Sequence, residues 1–459
     1  MLFRSKPLKS FQRALGQHKV LVSEEDRITY SYDTTGQRVT PQVVVLAESV
    51  EDVVATVRFA IDEGYSLTPR GAGTGMSGGS VPLRGGIVIS TERMNLIYEL
   101  DEGKKTLLVG PGVTTAQVQD TAAGRGLFYP PDPSSHKVST IGGNVAENAG
   151  GLRCVKYGTT KHYVLGLEVV SSCGEVFRTG SLSTEALPYD LTSLLVGSEG
   201  TLGVITAVLL RLIEAPQARG TLRVIFPSLE DAAGASSEIM AAGVTPSVSE
   251  LMDRLVLDAV SSYTGIKLPP ATQALLLIEV DGDRDAVRAA MAKVENISRR
   301  RHALDVRSTQ DPKEAEKLWR LRRSISPSLA RLSRGKLNED VSVPRSKLPD
   351  LIAAAGRISK RYNLPIPCFG HAGDGNIHLN VMYDPDDTLQ YRRALQVVEE
   401  IFKETVGLGG SISGEHGIGS VKKNYMRLQM SSAELDILRH IKDAFDPDGL
   451  FNPGKVIPD

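Results

Sequence analysis

The side chains able to do chemistry gather in three short stretches of the second half. His371-Ala-Gly-Asp-Gly-Asn-Ile-His378-Leu-Asn380 holds two of the eight histidines around a Gly-Asp-Gly-Asn turn. Such a turn folds its flanks back on each other, and the period of two puts His378 and Asn380 on one strand face. Further on, Ser411-Ile-Ser-Gly-Glu-His-Gly-Ile-Gly419 places Glu415 and His416 in a loop of small residues. Two neutral imidazoles and one carboxylate suit a divalent transition metal with open positions for substrate. Loop histidines with satisfied hydrogen bonds are the competing reading. In Trp319-Arg-Leu-Arg-Arg-Ser-Ile-Ser326, Arg322 and Ser326 lie at i and i+4, on one face of an expected helix. A guanidinium fork binds a carboxylate bidentately, although Arg320, Arg323, Arg331 and Arg334 also make this a solvated basic face.

The first half carries glycine in clusters, within a total of 44. Thr68-Pro-Arg-Gly-Ala-Gly-Thr-Gly-Met-Ser-Gly-Gly79 contains GxGxxG at Gly73, Gly75 and Gly78. A Rossmann fingerprint must open a helix. Here glycine-rich chain runs on to Pro82-Leu-Arg-Gly-Gly86 and then into an expected strand, Ile87–Ser90. The better reading is a nest, consecutive N–H groups curled around phosphate oxygens, set against a plain surface turn. Further clusters follow at Pro130-Pro-Asp-Pro-Ser-Ser135, at Ser139-Thr-Ile-Gly-Gly-Asn-Val-Ala-Glu-Asn-Ala-Gly-Gly151 and at Val196-Gly-Ser-Glu-Gly-Thr-Leu-Gly-Val-Ile205. Glycine loops separated by dozens of residues point to an elongated ligand contacted at several places.

The elements that must position these groups are mixed. Ser49 precedes an apolar stripe at Val50, Val53, Val54, Val57 and Ile61, with Asp52 completing a capping box and Gly64 ending the helix. Strands are expected at 43–46, 66–68, 87–90, 106–109, 165–170 and 204–212. Beyond Glu214-Ala-Pro-Gln217, longer helices at 228–242, 283–301, 311–334, 347–362, 389–406 and 432–444 alternate with strands at 274–280, 340–343 and 377–381. A boundary near Pro216 divides the chain into 1–216 and 217–459. Its 459 residues suit two or three domains. Lys+Arg 53 against Asp+Glu 54 gives no electrostatic reason for nucleic acid or anionic lipid as partner. Cys154, Cys173 and Cys368 form no CxxC pair, which fits a reducing, cytoplasmic setting and excludes a self-supplied four-thiolate cluster. No apolar run reaches membrane-spanning length. The basic segment Met1–Val20 reads as a first helix in preference to a transit peptide.

The order Pro69-Arg-Gly-Ala-Gly-Thr-Gly75, Pro130-Pro-Asp-Pro133, Thr140-Ile-Gly-Gly-Asn144 and Gly200-Thr-Leu-Gly-Val-Ile205 resembles the FAD-binding domain of vanillyl-alcohol-oxidase/PCMH-type flavoproteins. The second half, closing on Phe445-Asp-Pro-Asp-Gly-Leu-Phe-Asn-Pro-Gly-Lys455, resembles the FAD-linked oxidase C-terminal domain. Together they resemble the D-2-hydroxyacid dehydrogenases: glycolate oxidase flavin subunits, D-lactate dehydrogenases and D-2-hydroxyglutarate dehydrogenases. The resemblance implies an α+β chain. Its FAD-binding domain has two α+β subdomains, and its C-terminal α+β substrate domain has an antiparallel sheet under covering helices. It implies that Pro69, Arg70, Gly71, Ala72, Gly73, Thr74, Gly75, Ser77 and Gly78 hold the FAD pyrophosphate. Pro131, Asp132, Ser139, Thr140, Gly142, Gly143, Asn144, Val204 and Ile205 would line the flavin and adenine, with Gly151, Gly200, Asn376 and Asn452 also at the cofactor. Thr74 and Met76 stand where some members carry a flavin-linking histidine, so FAD is expected to be non-covalent. His371, His378 and Glu415 match a metal set, zinc first and manganese or iron next. His416 matches the general base, a role the ordinary titration range of histidine suits. Arg322 matches the carboxylate anchor, with Ser326, Lys336 and Asn380 at the substrate.

The expected reaction is oxidation of a D-2-hydroxy acid to the 2-keto acid, with D-lactate and glycolate ahead of D-2-hydroxyglutarate. Electrons would leave to an external quinone, cytochrome, electron-transfer flavoprotein or iron–sulfur subunit, from a homodimer or a hetero-complex peripheral to the membrane. Two rivals from other classes are a metallohydrolase using His371, His378 and Glu415, and a non-catalytic flavin subunit that relays electrons.

Overall fold

The computed structural model describes residues 5–183 and 188–458. It divides into two compact units. The first comprises 1–150, 159–215 and 416–459, and the second 151–158 and 216–415. The crossing at Ala215–Pro216 lies at the expected boundary, but the units do not coincide with a division into 1–216 and 217–459. The tail from His416 packs in the first unit because Leu67 N–H donates to Leu450 O and Asn452 N–H to Leu67 O. This places Phe451 in the first unit's core beside Leu67, Ile87 and Val204.

The first unit holds two α+β layers. Val43–Leu46, Ile87–Ser90 and Leu67–Arg70 form parallel pairs, with Val20–Leu21 antiparallel on the outer edge. The helix Val50–Glu63 supplies the crossover between Val43–Leu46 and Leu67–Arg70 and buries Val53, Val57 and Ala60. Ser49 caps it by accepting from Asp52 N–H. The capping box does not close. The Asp52 carboxylate accepts instead from Glu48 N–H and Lys19 Nζ. The basic N-terminal stretch forms the helix Ser5–Leu15, whose Phe11 stacks on Phe59 at 4.1 Å; Arg4 lies outside the described residues. The second layer is a five-stranded antiparallel sheet in the order Ile97–Asp101, Thr106–Val109, Val204–Arg211, Val164–Val170, Val176–Arg178.

The second unit is built on seven strands, ordered Asp305–Thr309, Ala218–Phe226, Ala274–Gly282, Val248–Asp253, Cys368–His371, Asn376–Tyr383, Gly335–Ser342. Every neighbouring pair is antiparallel. Strand alternation sorts the side chains onto two faces. Leu222, Val224, Leu276, Ile278, Leu251, Ile377, Leu379 and Val381 are buried on one, where the helices Leu229–Ala241, Arg284–Arg300 and Thr388–Gly407 pack. The opposite face is polar at its centre and far edge, because register aligns Glu250 with His371, His378 with Asp340, and Asn380 with Asn338. Its apolar end, with Ile225, Leu275, Leu277, Met252 and Phe369, lies under the helices Arg254–Thr264 and Pro312–Arg323 and the helix Ile325–Leu332.

The expected helix 311–334 is two helices that break at Ser324. Pro327, near the start of the second helix, has no N–H to donate back to Arg323 O and its ring crowds that carbonyl, so the chain breaks one turn before it. Arg322 is consequently buried while Ser326 is exposed, and the two do not share a helical face.

Candidate functional site

The Gly-Asp-Gly-Asn turn joins Cys368–His371 to Asn376–Tyr383 in a hairpin whose register sets His371 against Asn376 and Phe369 against His378. The two imidazoles stand edge to face, ring centroids 5.4 Å apart. Glu415 reaches them from the loop after Thr388–Gly407. That loop is held by Asp340, a fully buried carboxylate whose Oδ2 accepts from Gly414 N–H at 2.8 Å and Glu415 N–H at 2.5 Å. A Cβ on Gly414 would meet the Asn376 amide at 2.4 Å, so any larger residue there would displace that amide.

His371 Nε2 lies 3.3 Å and His378 Nε2 3.5 Å from Glu415 Oε1, and the three donor atoms all fall within 4.8 Å of one another. Four ligands arranged tetrahedrally about 2.0–2.1 Å from a zinc ion sit about 3.3–3.4 Å apart. The donor types suit a divalent ion, and the two separations from Glu415 match this spacing. Asn376 Oδ1 and Asn380 Oδ1 are buried on the same face with no hydrogen-bond partner among the described residues, so this face retains acceptor capacity for a ligand.

A residue not anticipated from the sequence sits behind this cluster. Glu250, fully buried in Val248–Asp253, pairs with His371 Nδ1 through one oxygen and with Arg322 Nε through the other. Burial pushes the Glu250 carboxyl up, but the charges of His371 and Arg322 outweigh it and hold its pKa at about 2. For His371 burial works downward, and the carboxylates of Glu250 and Glu415 raise it well above the ordinary histidine range. Arg322 also lies over the Phe369 ring at 5.0 Å. Ser326 and Lys336 are exposed, and neither is brought to this cluster by a described contact. Asn380 shares a strand face with His378.

In the first unit, no backbone N–H from Gly71 to Ser80 has an acceptor among the described residues, although Ser77, Gly78 and Gly79 are buried. A run of unpaired donors, three of them buried, suits a polyanion. The FAD pyrophosphate implied by the sequence fits this loop. Pro69 and Arg70 end the strand Leu67–Arg70, and Arg70 Nη1 is committed to Tyr32 O at 2.7 Å. Thr140 caps the helix Ile141–Glu147, which carries Gly142, Gly143 and Asn144. Ser139 Oγ pairs with Thr115 Oγ1, which accepts from Asn144 Nδ2, so these side chains brace the loop. Pro131 O accepts from Gln119 Nε2, and Asp132 lies 3.7 Å from His136 Nδ1. Val204 and Ile205 open the strand Val204–Arg211. Asn452 Nδ2 donates to Gly79 O and Glu199 O, beside Gly200. Gly151 and Asn376, expected with the cofactor group, belong to the second unit.

His416 stands in the first unit, next in sequence to Glu415. The loop after it is clamped by Glu199, whose two oxygens accept from Ile418 N–H and Gly419 N–H, each at 2.7 Å. Burial raises the Glu199 carboxyl, and burial together with the nearby Glu199 charge raises Glu147. Neither acid was singled out from the sequence, where each reads as one glutamate in a glycine-rich loop.

Residues 41–180 match the family described as FAD binding domain, and residues 215–456 that described as FAD linked oxidases, C-terminal domain. The glycolate oxidase subunit GlcD of Bacillus subtilis is 40% identical over 436 residues, 95% of this chain and 93% of that one. A D-lactate dehydrogenase of Anaerostipes hadrus is 31% identical over 97% of this chain and 96% of its own. A D-2-hydroxyglutarate dehydrogenase of Stutzerimonas stutzeri is 32% identical over 95% and 96%. Among solved structures, substrate-bound p-cresol methylhydroxylase superposes with a TM-score of 0.82 at 18% identity, covering 99% of this chain and 97% of that one, which establishes a shared fold.

Proposed function

The chain belongs to the FAD-linked oxidases and oxidises hydroxy acids with FAD; from that premise we propose that its substrate is a D-2-hydroxy acid, D-lactate or glycolate, and that a divalent ion assists. The observation that carries this reading is the linkage of a three-donor cluster to a buried arginine through one glutamate. His371, His378 and Glu415 would hold the ion, which when bound supplies a Lewis acid that lowers the pKa of the substrate hydroxyl. Arg322 presents its Nη edge to the substrate carboxylate, since its Nε is committed to Glu250. Asn380 orients the bound acid from the same sheet face. His416 takes the hydroxyl proton. The Gly71–Ser80 loop binds the FAD pyrophosphate, and bound FAD supplies the hydride acceptor. Electrons then pass to an external acceptor. No helix among the described residues is long and apolar enough to cross a membrane.

D-2-hydroxyglutarate is the second candidate substrate. A hydrolase reading leaves the FAD-binding half without a role. Anaerobic mixing of the FAD-loaded protein with each of the three acids separates the readings. D-lactate or glycolate should bleach the flavin fastest, and pre-treatment with a chelator should slow bleaching at least about tenfold. Faster bleaching by D-2-hydroxyglutarate would reverse the substrate order. Failure of all three acids to bleach the flavin would overturn the proposed substrate class.

A further inference from the structure

We propose that Glu250 is a positioning residue that locks the metal-binding histidine and the carboxylate-binding arginine into one frame, an inference that rests on the function proposed above. The strand Val248–Asp253 sets Glu250 directly across from His371 in the sheet register. Its carboxylate is fully buried, and each oxygen has one cationic or N–H partner, His371 Nδ1 at Oε1 and Arg322 Nε at Oε2.

Two consequences follow from donor chemistry. An acceptor-only carboxylate facing Nδ1 keeps a proton on that nitrogen, so when His371 gives up its other proton to a metal, Nε2 is the ring's only ligand atom. That is the atom 3.3 Å from Glu415 Oε1. The Nε–H of Arg322 is likewise spent, and the Phe369 ring supports the guanidinium plane at 5.0 Å. Only the Nη edge is left for a substrate carboxylate, in one orientation. Glu250 thus acts at both ends of the substrate grip without touching the substrate.

A glutamine at this position keeps the volume but offers one acceptor and one donor, so either His371 Nδ1–H or Arg322 Nε–H must face an N–H group. If Glu250 served only to neutralise Arg322 in the core, Glu250→Gln would lower the unfolding temperature and leave zinc affinity alone. The test is competition for zinc against a chromophoric chelator, on the FAD-loaded wild type, Glu250→Gln and Glu415→Ala. The wild type should bind zinc and Glu415→Ala should not; a wild type that binds none sinks the proposed function itself. Glu250→Gln should hold its FAD and bind zinc about 10- to 100-fold more weakly, the usual effect of losing an outer carboxylate on a ligating histidine. At saturating zinc its KM for the hydroxy acid should still be raised about tenfold, because a neutral amide gives neither His371 nor Arg322 the charge-assisted bond the carboxylate gave. Zinc affinity within about threefold of wild type overturns the inference. If Glu250→Gln does not fold, the zinc-loaded wild type labelled with 15N-histidine decides: His371 should appear as Nδ1–H with Nε2 metallated, and the opposite assignment overturns it.

Discussion

Buried carboxyls in this chain diverge according to the cations they face. Burial raises Asp253, Asp374, Glu147, Glu199 and Glu250 alike, and only at Glu250 do neighbouring cations reverse the sign. Asp253 shows the unreversed case away from the metal cluster. It caps the helix Arg254–Thr264, accepting from Val256 N–H and Cys368 N–H, yet burial pushes its carboxyl to about 7. The folded state therefore holds a proton that the unfolded chain releases above the ordinary carboxylate range. Stability from this group is present at low pH and falls as pH rises from about 4 to about 7, by at most about 1.4 kcal/mol per pH unit. Asp253→Asn removes the titration. The wild type's advantage over Asp253→Asn in chemical denaturation should be larger at pH 5 than at pH 8. An advantage that grows across that range would show that the two amide donors keep Asp253 ionised.

At the scale of elements, what the sequence disclosed depended on periodicity. The hairpin bearing His371 and His378 was legible because a Gly-Asp-Gly-Asn turn separates its two arms. The strand bearing Glu250 was not. Val-Ser-Glu-Leu-Met-Asp is covered on both faces and shows no simple alternation, so neither the strand nor its central acid stood out. The break between Arg323 and Ile325 was written in Pro327 but masked by the helix-forming residues on either side. The loop after His416 was readable only as a run of small residues, whereas in the fold Glu199 holds its backbone. Gly417 there has φ +86°, and a Cβ would come 2.6 Å from Glu147 Oε2 and 2.9 Å from Glu199 Oε1. Glu199 cannot yield, because Ile418 and Gly419 N–H hold it. Gly417→Ala should therefore cost about 1–2 kcal/mol from backbone conformation alone. By displacing His416 it should also slow flavin reduction about tenfold or more, the scale of misplacing a proton acceptor. Stopped-flow reduction at the wild-type rate would mean that the loop's geometry does not govern His416.

For the whole molecule, the order of the chain and the order of its packing differ. The second half by sequence contributes its last segment to the first unit, and the evident link is a bridge of one residue, Leu67 beside Phe451, too short to leave a periodic trace. Around it the segment is heavily tied. Asp446 accepts from Leu450 N–H and Phe451 N–H, Asn452 donates to Gly79 O and Glu199 O, and Lys455 Nζ donates to Gly79 O. The same carbonyl of Gly79 closes the glycine loop proposed to hold the FAD pyrophosphate, so the tail braces that loop. Phe451 is fully buried and anchors this arrangement. Phe451→Ala should destabilise the first unit by about 3–5 kcal/mol. Flavin fluorescence should report FAD release at a lower temperature, while the zinc affinity of the second unit stays at its wild-type value. A division of the chain at Pro216 predicts the reverse, a lesion in the metal-binding part with FAD retained. Measuring FAD release and zinc affinity on the same variant decides which division the energetics obey.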